Sequence, residues 1–187
     1  IREPDGLDRP DANDMTLARV FERLMADNRC RKRLIVLHTY GSHFSYRDRY
    51  PREYARFTPD TYAEAVAEKR SELINAYDNT IAMTDRLLDR ILITLRRQPG
   101  VAAMIYTSDH GEDIFDDDRN LFLHASPCPS FYQLHVPFIV WLSPAYRGMC
   151  PQAASALQAN SAKAVGTNSS YFNTAVDLAG IVTPRAD

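Results

Sequence analysis

The chain has 187 residues, 45% of them apolar, and its 22 basic and 24 acidic side chains leave a net charge of −2. That is one domain's length, or a piece of something larger, and apolar enough to exclude wholesale disorder. The charge balance gives no reason to expect nucleic acid or an anionic membrane surface as partner, and no apolar run approaches the roughly 20 residues that span a bilayer. The start, Ile1-Arg2-Glu3-Pro4-Asp5-Gly6, has neither Met nor a signal-peptide pattern and reads as a cut edge. Cys30, Cys128 and Cys150 are an odd number with no CxxC or Cys/His zinc spacing. A Cys128–Cys150 bridge would require an oxidising compartment and close approach.

After an irregular lead-in, Met15, Leu17, Val20, Phe21, Leu24 and Met25 recur at helical spacing, with Asp14 as N-cap and Asn28 as stop. Residues 33–38 (Arg-Leu-Ile-Val-Leu-His) form an apolar run of strand length without alternation, which suits a strand covered on both faces. Gly41 follows, and the aromatic, Arg-rich residues 44–57 read as a long loop. Spacing then predicts a helix from about Thr61 to Arg97, with Leu73, Tyr77, Ile81, Thr84, Leu88, Leu92 and Leu95 as its apolar stripe, ended by Pro99-Gly100. A second strand is expected over 101–107. A charged loop through Asp116-Asp117-Asp118, read as solvated, separates it from a third strand over 136–142, with Pro137 at its entry. Small polar residues dominate 151–170, and a short helix around 171–179 closes the chain.

Strand, long helix, strand is the pattern of a βαβ unit and predicts an α/β fold with a parallel sheet. Ligand sites of such sheets lie at the carboxyl ends of the strands, which is where His38 and His43, then Asp109 and His110, fall. Asp109-His110-Gly111-Glu112 sets a carboxylate and an imidazole directly after a strand, a donor pair that suits zinc. Taken alone it reads equally well as a capping Asp beside a surface His. His124, fourteen residues on, and the two histidines of the first strand end favour a metal site. Four of the five histidines then lie in loops the expected fold brings together. His135, at the entry to the third strand, reads as structural.

Five ordered blocks carry a more specific signal. Leu37-His38-Thr39-Tyr40-Gly41-Ser42-His43, followed by Tyr46, Arg49-Tyr50-Pro51 and Phe57-Thr58-Pro59, is the first. Residues 74–81 (Ile-Asn-Ala-Tyr-Asp-Asn-Thr-Ile) with Thr84-Asp85 are the second. Residues 106–112 (Tyr-Thr-Ser-Asp-His-Gly-Glu), then Leu123-His124, then residues 135–141 (His-Val-Pro-Phe-Ile-Val-Trp) complete the set. Together, over roughly residues 33–145, they resemble the phosphoethanolamine transferases of Gram-negative envelopes, in the alkaline phosphatase/sulfatase superfamily.

That resemblance implies an α/β/α sandwich, of which residues 1–187 would be the C-terminal portion of the catalytic domain. It implies zinc, one or two ions, with Asp109 and His110 as ligands at the nucleophile. His43 and His124 would be ligands or phosphate contacts at a second metal position, with His38 as a companion there, and Glu112 would act from behind the ligands. The family's threonine nucleophile and an acidic ligand on its first strand have no match in this sequence, and Thr39 and Thr107 do not fit the nucleophile motif. The His-Asp pair often seen before the last helix is also not evident; residues 167–170 (Thr-Asn-Ser-Ser) stand there.

The implied reaction has two steps. The threonine hydroxyl attacks the phosphorus of phosphatidylethanolamine and diacylglycerol leaves; the phosphoethanolamine then passes to lipid A or another envelope glycolipid. The parent protein would sit in the inner membrane of a Gram-negative bacterium through an N-terminal anchor absent here, with this part in the periplasm. Two other readings are a sulfatase or phosphoglycerol transferase of the same superfamily, and a non-catalytic metal-binding remnant.

Overall fold

The computed structural model describes residues 14–27 and 29–182, apart from the side chains of Asn168 and Ser169. The chain divides into two compact units, Ile1–Gln98 with Asp113–Leu123, and Pro99–Glu112 with His124–Asp187.

The first unit is built on two helices, α1 (Met15–Ala26) and α2 (Arg70–Arg96). Helix α1 buries Leu17 and Phe21 from the expected stripe, together with Ala18, whereas Leu24 is exposed. Asp14 precedes α1 without capping it. Its carboxylate instead accepts from the backbone N–H groups of Tyr40 (3.1 Å) and Gly41 (2.8 Å), where Gly41 takes a left-handed φ of +54°. The expected stop at Asn28 lies outside the described residues; Asp27 is the C-cap.

Helix α2 is shorter at its start than the spacing predicts, because residues 61–66 are irregular and only a 3-10 turn, Ala67–Lys69, leads in. The buried face runs Leu73, Ala76, Thr80, Met83, Leu87, Ile91 and Leu95, with Asn79 beside it. This face is turned relative to the expected stripe: Ile81 is exposed, and Leu88 and Leu92 are half-buried. The larger side chains pulled the sequence reading toward them, while the contact face uses Ala76 and Thr80 for close approach. Leu87→Ala is expected to cost about 2–5 kcal/mol in a denaturant melt, with Leu88→Ala costing less. Equal costs would show that the face has been placed wrongly.

Two further corrections concern the segments around these helices. Residues 44–57 contain two 3-10 turns, Tyr46–Arg49 and Arg52–Tyr54, in place of a plain loop. Tyr46 is fully buried against Leu73, Ala76 and Ile114, with Phe44, Tyr77 and Phe122 packed around them. Residues 33–38 form no strand: a strand exists by its ladder, and among the described residues none pairs with this run, so Leu34 and Val36 stay exposed. The same unit holds the two-residue strands β2 (Asp113–Ile114) and β3 (Phe122–Leu123), antiparallel with Asp113 opposite Leu123. The Asp116–Asp118 loop joins them, and two of its acids are engaged. Asp116 takes the Arg70 guanidinium (3.0 Å) and the Ile114 N–H (2.6 Å), while Asp117 pairs with Arg119.

In the second unit β1 (Ala103–Thr107) and β4 (Phe138–Leu142) pair antiparallel, Ala103 opposite Leu142 and Thr107 opposite Phe138. The expected parallel βαβ unit is therefore absent from the described residues, since α2 leads into β1 from a segment that is not a strand. Ser143 closes the sheet. Its N–H donates to Ala102 O, and its hydroxyl accepts from Ala102 N and caps α4 (Pro144–Met149) at Tyr146 N (3.1 Å). Helices α5 (Pro151–Asn160) and α6 (Thr167–Leu178) follow, and the Tyr146 hydroxyl donates to Leu178 O. The short α3 (Phe131–Leu134), capped by Ser130, was not anticipated. Cys30, Cys128 and Cys150 form no disulfide.

Candidate metal centre

Strand β1 ends at Thr107, and the next five residues build the site. Ser108 Oγ donates to His110 O (2.7 Å), and the His110 N–H donates to Asp109 Oδ1 (3.0 Å), which winds the chain into a tight turn. Gly111 is required by close approach. Its N–H donates to Gln133 O (2.8 Å), and a Cβ at this position would lie 2.1 Å from Tyr132 O. The turn is thereby fixed against α3.

Glu112 and His124 flank the paired residues Asp113 and Leu123, so a short antiparallel ladder brings together side chains twelve residues apart. Residues Leu123 (φ 67°) and Ala125 (φ 71°), on either side of His124, both hold left-handed backbone, a costly conformation for residues with a Cβ that persists where surroundings impose it.

The two imidazoles lie against each other, ring centroids 3.9 Å apart and planes inclined by 34°. Each Nδ1 lies at hydrogen-bond distance from an oxygen. His110 Nδ1 is 2.9 Å from Gly111 O, and His124 Nδ1 is 3.0 and 3.1 Å from the two oxygens of Glu112. Such contacts suit neutral rings that carry the proton on Nδ1, with the lone pair on Nε2. The Glu112 side chain is 4% exposed, against about a third for the two histidines. Asp109 is the opposite case at 87%, with Oδ2 3.8 Å from His110 Nε2.

Asp109, His110 and His124 line an open cleft of about 290 Å³, shared with Ser126, Gln133 and Thr167. Among the described residues His110, Glu112 and His124 form a group able to offer three donor atoms to one ion, all within 4.8 Å of one another. Two imidazoles and a carboxylate, with Asp109 at the rim, are a donor set that fits zinc.

Of the residues singled out from sequence, Asp109, His110, Glu112 and His124 share this second unit, the first, second and fourth on the cleft. His38 and His43 belong to the first unit. His38 is exposed, while His43 Nδ1 is 2.6 Å from Phe44 O and its turn is clamped by Arg49, which donates to His43 O and Phe44 O. His135 is the C-cap of α3 and stacks on Phe131 at 4.6 Å. Sequence reasoning missed Gln133, buried at 6% and facing this cleft. The available signal was Ser130 three residues earlier, a helix cap whose hydroxyl accepts from Gln133 N.

The chain is 35% identical over 137 residues to the Kdo(2)-lipid A phosphoethanolamine 7''-transferase of Salmonella typhimurium, covering 72% of this chain and 23% of that protein. Its structure is similar to the C-terminal periplasmic domain of phosphoethanolamine transferase EptC from Campylobacter jejuni, with a TM-score of 0.80 and 29% identity over 93% of this chain and 55% of that one. The corresponding Escherichia coli EptC domain, solved as a complex with zinc, shares the fold at a TM-score of 0.76 and 21% identity, over 96% of this chain and 50% of that one. The chain thus spans about half of these domains and under a quarter of the Salmonella transferase. Its fold is the α/β/α type of the alkaline phosphatase/sulfatase superfamily, present in part. The sulfatase family profile matches residues 2–181, and the chain belongs to that family.

Proposed function

We propose that the chain is the C-terminal portion of the catalytic domain of a metal-dependent phosphoethanolamine transferase. It would serve transfer from phosphatidylethanolamine to lipid A or another envelope glycolipid, on the periplasmic side of the inner membrane. The observation that carries this reading is the cleft in which His110 and His124 stack, each with Nδ1 occupied by an acceptor. Similarity to a lipid A phosphoethanolamine transferase supports the substrate class. Among the described residues no helix is long and apolar enough to cross a membrane, so attachment would come from elsewhere in the parent protein.

His110, His124 and the Asp109 carboxylate would hold zinc. When bound, zinc supplies a positive charge that lowers the pKa of an attacking hydroxyl and offsets charge on phosphoryl oxygens. The chain's own contribution is positional. The Gly111–Gln133 bond fixes the turn, the Nδ1 contacts fix both rings, and Gln133 lines the cleft. His43 and His38 are assigned to the phosphate or a second ion on the motif alone.

In the protein that contains this chain, expressed in a Gram-negative host, mass spectrometry of lipid A is expected to show added phosphoethanolamine, and His110→Ala is expected to abolish it. Unmodified lipid A with phosphoethanolamine on another glycolipid would redirect the acceptor; no transfer to any envelope lipid would overturn the reading. The isolated 187 residues, which contain no match to the family's threonine nucleophile, are expected to release no diacylglycerol from phosphatidylethanolamine and to form no covalent adduct. A phosphoethanolamine adduct on Thr39 or Thr107 would contradict this.

A further inference from the structure

We infer that Glu112 is a positioning residue: its buried carboxylate sets the tautomer and orientation of His124, holding Nε2 as the metal- or phosphate-facing nitrogen. The inference rests on the proposed function for its purpose, though not for its geometry. Both oxygens of Glu112 lie at hydrogen-bond distance from the same ring nitrogen, 3.0 and 3.1 Å, so the contact is shared across the carboxylate. An ionised carboxylate is acceptor-only, and this one is nearly excluded from water at 4% exposure. With Glu112 ionised, His124 donates from Nδ1.

The neighbouring His110 shows the same arrangement by a different device, since its Nδ1 faces a backbone carbonyl at 2.9 Å. Two rings 3.9 Å apart thus have the same nitrogen engaged, one by the main chain and one by a side chain. Only the second can be removed by mutation. Partners that hold the far nitrogen of a ligating histidine commonly change metal affinity by about 10–100-fold when lost. This also explains why Glu112 is buried and Asp109, three residues earlier, is exposed: one holds a ring from behind and the other is open to a ligand.

The test is nitrogen-15 NMR of the histidine rings in the metal-free chain, together with zinc affinity measured by competition with a chelating dye. In the wild-type chain the His124 proton is expected on Nδ1. In Glu112→Ala the Nδ1–H form should no longer be enforced, and zinc affinity should fall about 10–100-fold. Glu112→Leu, which keeps the volume, serves the same purpose should the alanine variant unfold. A wild-type proton on Nε2 would overturn the inference. So would a folded variant that binds zinc weakly with an unchanged tautomer, because Glu112 would then be a ligand. The tautomer is read without metal or lipid, so its failure is separable from a failure of transfer in the parent protein.

Discussion

Gly111→Ala is expected to weaken zinc binding and to destabilise the chain together. The added methyl group would sit 2.1 Å from the carbonyl oxygen of Tyr132 and 3.2 Å from its carbon. The obstacle is backbone, which cannot rotate away as a flexible side chain could. Either the 109–112 turn or α3 must shift, and the Gly111–Gln133 hydrogen bond of 2.8 Å is lost with it. Overpacking of this kind costs about 1–3 kcal/mol. Since Asp109, His110 and Gln133 stand on the two moving segments, zinc affinity should fall by at least about tenfold, the order seen when groups supporting metal ligands are removed. Gly100→Ala, where the methyl would meet nothing within 4 Å, is the matched control and should be nearly neutral. Chelator competition and a denaturant melt on both variants check this. Wild-type zinc affinity in Gly111→Ala would show that the turn is not what places the ligands.

The second large effect is expected at Asn79, in the first unit. This side chain is 1% exposed on α2 and bonds five groups, one of them Asp60 Oδ2 at 3.5 Å from Nδ2. Oδ1 accepts from Arg56 N (2.7 Å) and Phe57 N (3.0 Å), while Nδ2 donates to Phe57 O (2.9 Å) and Tyr50 Oη (3.2 Å). Tyr50 in turn donates to Asp60 at 2.7 Å, and burial, reinforced by that carboxylate, pushes its phenol above the usual tyrosine range. One amide therefore pins the residues between the His43 turn and α2. Asn79→Ala leaves buried backbone groups unsatisfied and should cost about 2–4 kcal/mol. Asn79→Asp should not rescue it, because the new carboxylate would lack the donors and face Asp60. A urea melt within about 0.5 kcal/mol of wild type for Asn79→Ala would show that this network carries no weight.

Much of this was legible in the sequence, and the failures have physical reasons. The Asp109–Glu112 turn could be read because its chemistry is local: a strand, then four residues whose types suit a metal. His124 could be added because Leu123-His124 sits in a recognisable family block. The helix α2 was found by periodicity, yet its face was misjudged, because periodicity weights large side chains whereas packing also rewards Ala76 and Thr80. Residues 33–38 were read as a strand from composition, but a ladder needs a partner, and composition cannot supply one. The antiparallel β1–β4 pairing was hidden for the same reason: it joins segments separated by a hairpin and α3. Gln133 was passed over because its signal, the Ser130 cap, marks a helix of one turn within an otherwise uncharged stretch.

The most direct test of the metal centre is anomalous scattering at the zinc edge from crystals of this chain grown with zinc. An ion is expected in the cleft, bonded to Nε2 of both His110 and His124 at about 2.0–2.1 Å with an Asp109 oxygen completing the contact. An ion held at other residues, with the cleft between His110 and His124 lacking anomalous density, would contradict this expectation.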